Sequence, residues 1–264
     1  MPPEILFEGV SKSFARRDGG PAFEAIHDLS FAVERGELVA ILGKTGCGKS
    51  TTFNLISGLI QPSHGRVAVQ GHDPYADFAW FRGKIGIVFQ NDRLMPWRTA
   101  IDNVALGLEL NKVPPAQRRE IAASWLDRLG LCRHANDFPH ALSGGMRQRV
   151  SIARAFAGKP DILLCDEPFS ALDEHTGNEL RREFREMLRT TGATAIFITH
   201  SIEEALWLGA RLMVFERPAR IAYETVLRAD MSEDEREAVR GRIREVLSGE
   251  VRPVPLDQSR LRLF

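Results

Sequence analysis

A chain of 264 residues, 44% of them hydrophobic, can bury a substantial core in one large domain or two small ones, which excludes a disordered protein. Lysine plus arginine and aspartate plus glutamate number 35 each, so no net field draws the chain onto nucleic acid or an anionic membrane. The three cysteines, Cys47, Cys132 and Cys165, share no short repeated spacing and fit a reducing compartment rather than a disulfide framework.

In chain order, residues 5–14 and 23–33 read as short, half-buried strands separated by Gly, Pro and Asp turns, and 66–69 belongs with them in an antiparallel subdomain. Residues 38–42 are a continuous apolar run, as are 85–89, 162–165 and 195–198. Such runs suit strands buried on both faces, as in a parallel sheet covered by helices, so the fold class is α/β. Residues 51–59 continue as a helix after the first of these runs. From about 99 to 131 the period turns helical, with Ile101, Val104, Ala105 and Leu108 on one face. After the Pro114-Pro115 break, Ile121, Trp125, Leu126 and Leu129 line a second face, making an inserted α-helical subdomain. Ser232 and Glu235 have capping-box spacing before Val239, Ile243 and Val246, which predicts a last amphipathic helix. No stretch approaches the roughly 18 apolar residues of a spanning helix and residues 1–8 lack signal-peptide character, so the chain is expected neither to enter nor to cross a bilayer by itself.

Gly43-Lys44-Thr45-Gly46-Cys47-Gly48-Lys49-Ser50 matches Gly-x4-Gly-Lys-Ser, between an apolar strand and a helix that begins near Thr51. Glycines let the backbone curl so that several N–H groups face phosphate oxygens, and the following helix adds its positive dipole end. Lys49 is placed for the β- and γ-phosphates and the Ser50 hydroxyl for Mg²⁺; Cys47 reads as a small filler rather than a reactive thiol. Asp166 and Glu167 end the 162–165 strand, the first placed to hold a metal shell and the second to polarise an attacking water. Gln90 and His200 follow two other buried runs. Ligands collect at the carboxyl ends of strands in such sheets, so these polar groups are expected to converge on one edge. His134 and His140 near Cys132 have no zinc-ligand spacing.

At Leu142-Ser143-Gly144-Gly145-Met146-Arg147-Gln148 the chain resembles the ATP-binding cassette family, whose signature is absent from generic P-loop kinases and GTPases. The resemblance covers roughly residues 4 to 225 and implies a P-loop NTPase core with a mainly parallel sheet, the antiparallel β subdomain and the helical insertion at about 92–142. It implies domain limits of 4–226, with 227–264 as a C-terminal helix and tail. Further pieces stand in the family's order: Phe14 at the adenine-stacking position, where tyrosine is usual, Gln90, Asp166-Glu167, Ser170-Ala171-Leu172-Asp173 and His200, with Ser201 in place of a frequent aspartate. The resemblance implies an ATPase using ATP and Mg²⁺, acting as a head-to-tail homodimer in which Ser143 and its neighbours in one subunit face the nucleotide of the other. By analogy Gln90 senses Mg²⁺ and the transport partner, Glu167 is the general base, His200 contacts the γ-phosphate and Asp173 helps join the subunits.

A narrower likeness, carried by residues 92–97, 102–107 and 217–221, is to cassettes serving bacterial nitrate, sulfonate and taurine-type importers. It implies membrane permease subunits, an extracytoplasmic solute-binding protein reached indirectly, no nucleic acid, and residence on the cytoplasmic face of the inner membrane. Trp97 lies where the family docks a membrane subunit's coupling helix; it either anchors that contact or packs within its own subdomain. The charge run 179–189 reads as a solvated helix face, with Phe184, Met187 and Leu188 available for burial. The alternative is a cytosolic cassette ATPase acting on soluble partners.

Overall fold

The computed structural model describes residues 2–16, 19–170, 172, 174–208, 211–228 and 230–249; Ala171 and Asp173 lie outside them. Strands β1 (Ile5–Phe14) and β2 (Phe23–Val33) form an antiparallel hairpin, and after β3 (Leu38–Gly43) and α1 (Lys49–Ile56) strand β4 (His64–Val69) joins β1 on its other side. Ile5 pairs with Val33 and Phe7 with Phe31, whose rings stack at 4.5 Å, so one face of this sheet is apolar. With 10 and 11 residues, β1 and β2 are the longest described strands, and they keep the limits 5–14 and 23–33 read from the sequence. Register shifts between Phe7 and Ser13 allow that length, because bulges bend the ribbon and keep its apolar face on the core.

The main sheet adds β5 (Ile85–Val88), β6 (Ile162–Asp166), β7 (Thr194–Thr199), β8 (Arg211–Glu216) and β9 (Arg220–Val226) in the order β5-β6-β7-β3-β8-β9. All its pairings are parallel except β8 with β9. Alternate strand residues face two separate cores. Val39, Ile41, Leu164, Ile196 and Met213 point to α1 and the antiparallel sheet, whereas Ala40, Leu42, Cys165, Phe197 and Val214 point to the helical side. Strands β8 and β9 are absent from the expected elements, although residues 212–215 are as continuously apolar as the other buried runs.

On the helical side lie α2 (Ala100–Leu110), α3 (Pro115–Arg128), α4 (Gly144–Ala157), α5 (Glu174–Thr191), α6 (Ile202–Leu208) and α7 (Glu233–Ser248). Thr99 caps α2 by accepting from Asp102 N, and Pro115 starts α3, where its missing N–H costs nothing. Val104, Leu108, Leu126 and Val150 pack α2, α3 and α4 together. The charged run lies on α5 and buries Leu180, Phe184, Met187 and Leu188, as its pattern predicts. The capping box of α7 forms as spaced: Glu235 N donates to Ser232 Oγ and Ser232 N to Glu235 Oε2, and Ile243 is buried. Helix α1 begins at Lys49 and ends at Ile56, two residues before and three residues before the respective expected limits of 51 and 59. Among the described residues no helix is long and apolar enough to cross a membrane.

Fully buried Asn103 holds the entry to the helical subdomain. Its Oδ1 accepts from Met95 N at 2.7 Å, and Nδ2 donates to the carbonyls of Met95, Arg98 and Thr99 at 3.0–3.2 Å. Asn103→Ala strands these buried groups and is expected to lower unfolding free energy by about 2–3 kcal/mol. Urea denaturation checks this, and a loss below about 0.5 kcal/mol would show that segment 95–99 holds its shape without the amide.

Candidate active site

The glycine loop leaves the central strand β3 and runs straight into α1. Gly46 and Gly48 have φ of 79° and 108°, in the left-handed region that L side chains disfavour. A Cβ on Gly48 would stand 2.5 Å from Ala25 O and 2.6 Å from Ala219 Cβ; one on Gly43 would stand 2.6 Å from Cys47 Sγ. The loop is therefore wedged between β2 and the β8–β9 turn and takes glycine at both points. Cys47 fills the space beneath it; burial pushes its thiol up, which fits a packing role. Lys49 is buried, with Nζ donating to Gly43 O at 2.6 Å and Lys44 O at 3.1 Å. Lys44, Thr45, Gly46 and Ser50 are exposed and Thr51 is half-buried. Gly48 begins α1 without a side-chain cap and the first turn carries no acid, so its N–H groups suit an anion.

Across the sheet, β6 ends in Asp166. Glu167 follows with φ 45°, a strained setting for a carboxylate side chain, fixed by donation from its N–H to Ile198 O at 2.8 Å. That turn aims the carboxylate at two partners. Oε2 accepts from Gln90 Nε2 at 3.0 Å, and Oε1 lies 2.9 Å from His200 Nδ1. Gln90, Glu167 and His200 thus meet beyond the ends of β5, β6 and β7, as expected. Asp166 is held above the usual carboxylate range, first by burial and then by the neighbouring Glu167 charge, with Lys49 and Arg93 pulling the other way.

The signature segment divides in two. Ser143 caps α4 by accepting from Met146 N at 3.2 Å, and Ser143 and Gly144 are exposed at the helix start, with Gly145 and Met146 half-buried. Within the segment 142–148 assigned to a partner's nucleotide, Leu142, Arg147 and Gln148 make their contacts inside their own chain. Leu142 is buried; Arg147 donates to Leu142 O and Asp92 Oδ2; buried Gln148 donates to Pro168 O at 2.7 Å, beside Glu167, and to Phe89 O at 3.4 Å. The helix repeats every 3.6 residues, so a seven-residue motif on it cannot present every side chain to one surface.

Ser170 closes a tight turn onto Glu167 O through both N and Oγ, and Leu172 N reaches Phe169 O. Ala171 and Asp173 fall outside the described residues. Phe14 ends β1, 39% exposed, with Lys12 Nζ 5.1 Å from its ring centroid. Trp97 is 72% exposed, so of the two expectations for it, packing within its own subdomain is excluded. A groove of about 450 Å³ runs past Arg82, Ile87, Phe89, Leu106, Arg154 and Met95, which lies two residues before Trp97 in the chain. His134 pairs with Asp137 at 2.7 Å. Missed from sequence is Arg154, whose half-buried guanidinium donates to the carbonyls of Asp92 and Arg93. No short spacing links positions about 60 apart, so no sequence signal was available for that clamp.

A glycine loop joining a central parallel strand to a helix, with a lysine inside it and an Asp-Glu pair ending a neighbouring strand, defines a P-loop nucleoside triphosphatase. The ABC transporter family model matches residues 26–170. Taurine import ATP-binding protein TauB of Rhizobium johnstonii is 45% identical over 222 residues, covering 82% of this chain and 81% of that protein. A dimeric ATP-binding cassette solved in a post-hydrolysis state bound to ADP and Pi superposes with a TM-score of 0.76 at 33% identity, over 85% of this chain and 99% of that one. CbiO1 of Clostridium perfringens, part of the ABC transporter complex cbiONQ, superposes with a TM-score of 0.76 at 27% identity, over 95% of this chain and 100% of that one. The chain belongs to the ABC transporter family. It is an ATP-binding, ATP-hydrolysing transport subunit.

Gly48→Ala places a methyl group against Ala25 O and forces a left-handed conformation on alanine. The loop must open to admit it, so ATP affinity is expected to fall by at least about tenfold, a difference of about 1.4 kcal/mol. Fluorescent-nucleotide titration of the folded variant measures it, and unchanged affinity would mean that this glycine does not set the cradle.

Proposed function

We propose that this chain is one of two identical subunits that energise a bacterial importer for a small anionic or organic solute such as nitrate, a sulfonate or taurine. The observation that carries the ATPase half of this reading is the clasp of Glu167 between Gln90 and His200, at the rim shared with the Lys49 loop. The relatives' names support the importer half, a taurine import protein most directly. The ATPase domain is taken as 4–226, with the helical insertion at about 92–142 and a C-terminal extension over 227–264.

In this reading the N–H groups of segment 43–51 cradle the phosphates, Lys49 leaves its two loop carbonyls for the β- and γ-phosphates, and Phe14 stacks on adenine. The donor set of Ser50 hydroxyl, Gln90 amide and Asp166 carboxylate is all oxygen, which fits a hard divalent cation. Mg²⁺ held by these three supplies charge neutralisation at the β- and γ-phosphates. Glu167 orients the attacking water and accepts its proton. His200 holds Glu167 through Nδ1, which leaves its Nε2 for the γ-phosphate.

Ser143, Gly144 and Gly145 open α4 at the surface, where they suit the nucleotide of a second copy, and the family likeness assigns segment 170–173 to joining the two copies. A homodimer follows, with two composite sites. The groove that reaches Met95 suits a helix from each of two membrane permease subunits, and Gln90 lies between that groove and Glu167. An extracytoplasmic solute-binding protein acts on the permease, and this subunit sits on the cytoplasmic face of the inner membrane as a peripheral component.

Glu167→Gln should bind ATP, form a long-lived dimer on size exclusion and hydrolyse at least about a hundredfold more slowly. Turnover at the original rate, or a monomer in ATP, would refute the base and dimer assignments. With its permease and binding protein in proteoliposomes, ATPase activity should rise on adding taurine, a sulfonate or nitrate, and Trp97→Ala should cut uptake while leaving ATP affinity unchanged. Recovery with soluble partners alone would favour the cytosolic alternative.

A further inference from the structure

His200 is 58% exposed, so its imidazole is not packed in place by neighbours; the backbone turn that carries it does the placing. That turn hangs on one hydroxyl. Thr199 Oγ1 accepts from Ser201 N at 3.0 Å and donates to Glu204 Oε2 at 2.6 Å, and Ser201 Oγ in turn accepts from Glu204 N at 3.2 Å. Glu204 is buried, and its other oxygen, Oε1, accepts from Arg181 NH1 at 3.2 Å. Arg181 belongs to α5, which follows segment 170–173; its guanidinium also donates to Asn178 Oδ1 and lies 5.9 Å from the ring centroid of Phe169, two residues beyond Glu167. Phe169 packs edge-on against Phe184 and tilted against Phe197 of β7, so it cannot shift alone.

We propose that the Arg181–Glu204 pair is a positioning element for hydrolysis: through the Thr199 hydroxyl it sets His200 against Glu167, and through Arg181 it makes that setting depend on α5. The pair is 17% and 10% exposed, and an apolar pair of similar volume would pack at such a site about as stably. What the charged pair adds is an acceptor for the Thr199 hydroxyl, which fixes the rotamer on which Ser201 N hangs. Both catalytic arms, 167–169 and 199–201, are then braced from one guanidinium. The idea rests on the roles of Glu167 and His200 proposed above, and its test separates the two.

The variant is Thr199→Val, which keeps shape and leaves the ion pair intact, with Thr199→Ser as the conservative control. In the full-length transporter complex, Thr199→Val should lower kcat about tenfold with KM for ATP unchanged, because a small misplacement of a catalytic group is felt in the chemical step. Thr199→Ser should restore most of the turnover. In a His200→Ala background Thr199→Val should cost little more, since the group it positions is gone. An equal tenfold loss in that background, or a loss in KM instead of kcat, overturns the proposal. NMR of the His200 ring reads it without turnover: Thr199→Val should shift its Nδ1 and Hε1 signals and Thr199→Ser should not. If His200→Ala hydrolyses normally, the role of His200 falls and the ring shifts alone decide the positioning; unshifted signals overturn it.

Discussion

The parallel register of three neighbouring strands is the constraint on which the site depends. Leu42 of β3 pairs with Thr199 of β7, and Asp166 of β6 with Ile198. All three strands therefore end at one level, and whatever follows each of them leaves the sheet at the same edge. Gly43 closes β3 at that edge, and Glu167 and His200 are the residues that follow β6 and β7. A slip of one position in any strand would invert its faces and send its loop to a different depth. Two cores forbid that slip, because alternate residues of β3, β6 and β7 are buried on opposite sides of the sheet.

Around that edge the helical subdomain is attached by polar groups rather than by apolar area alone. Arg154 grips the carbonyls of Asp92 and Arg93, Arg147 takes the Asp92 carboxylate, and Asn103 gathers Met95, Arg98 and Thr99. These bonds are directional, so they fix the path of segment 90–99 from Gln90 to exposed Trp97. Chemistry at Gln90 and surface at Trp97 become two ends of one short, constrained piece of chain.

The sequence was most legible where physics acts locally. Continuous apolar runs, the Ser232–Glu235 cap and the Pro114-Pro115 break all encode their structure within a few residues, and the corresponding elements formed with limits shifted by one to three positions. The glycine loop was legible because its backbone conformation needs residues of one kind at fixed spacing. What stayed hidden was tertiary. The Thr199–Glu204–Arg181 chain joins β7, α6 and α5, and the Gln148–Pro168 bond joins α4 to the turn after Glu167. No periodicity marks either. The inward contacts of Leu142, Arg147 and Gln148 were hidden for a related reason: the motif is contiguous in the chain, whereas helical geometry distributes its side chains over different surroundings.

Helix α4 carries Ser143 on its outward end and Gln148 little more than a turn later, gripping the carbonyl of the residue after Glu167. A helix turn is stiff along its axis, so a pull on the first is delivered to the second almost without loss. For two such chains assembled head to tail, the nucleotide held mainly by one chain tugs on the other chain's Ser143 and so on that other chain's own Glu167. In an assembly of that kind the two sites are wired in series, and neither chain has a reaction rate that belongs to it alone.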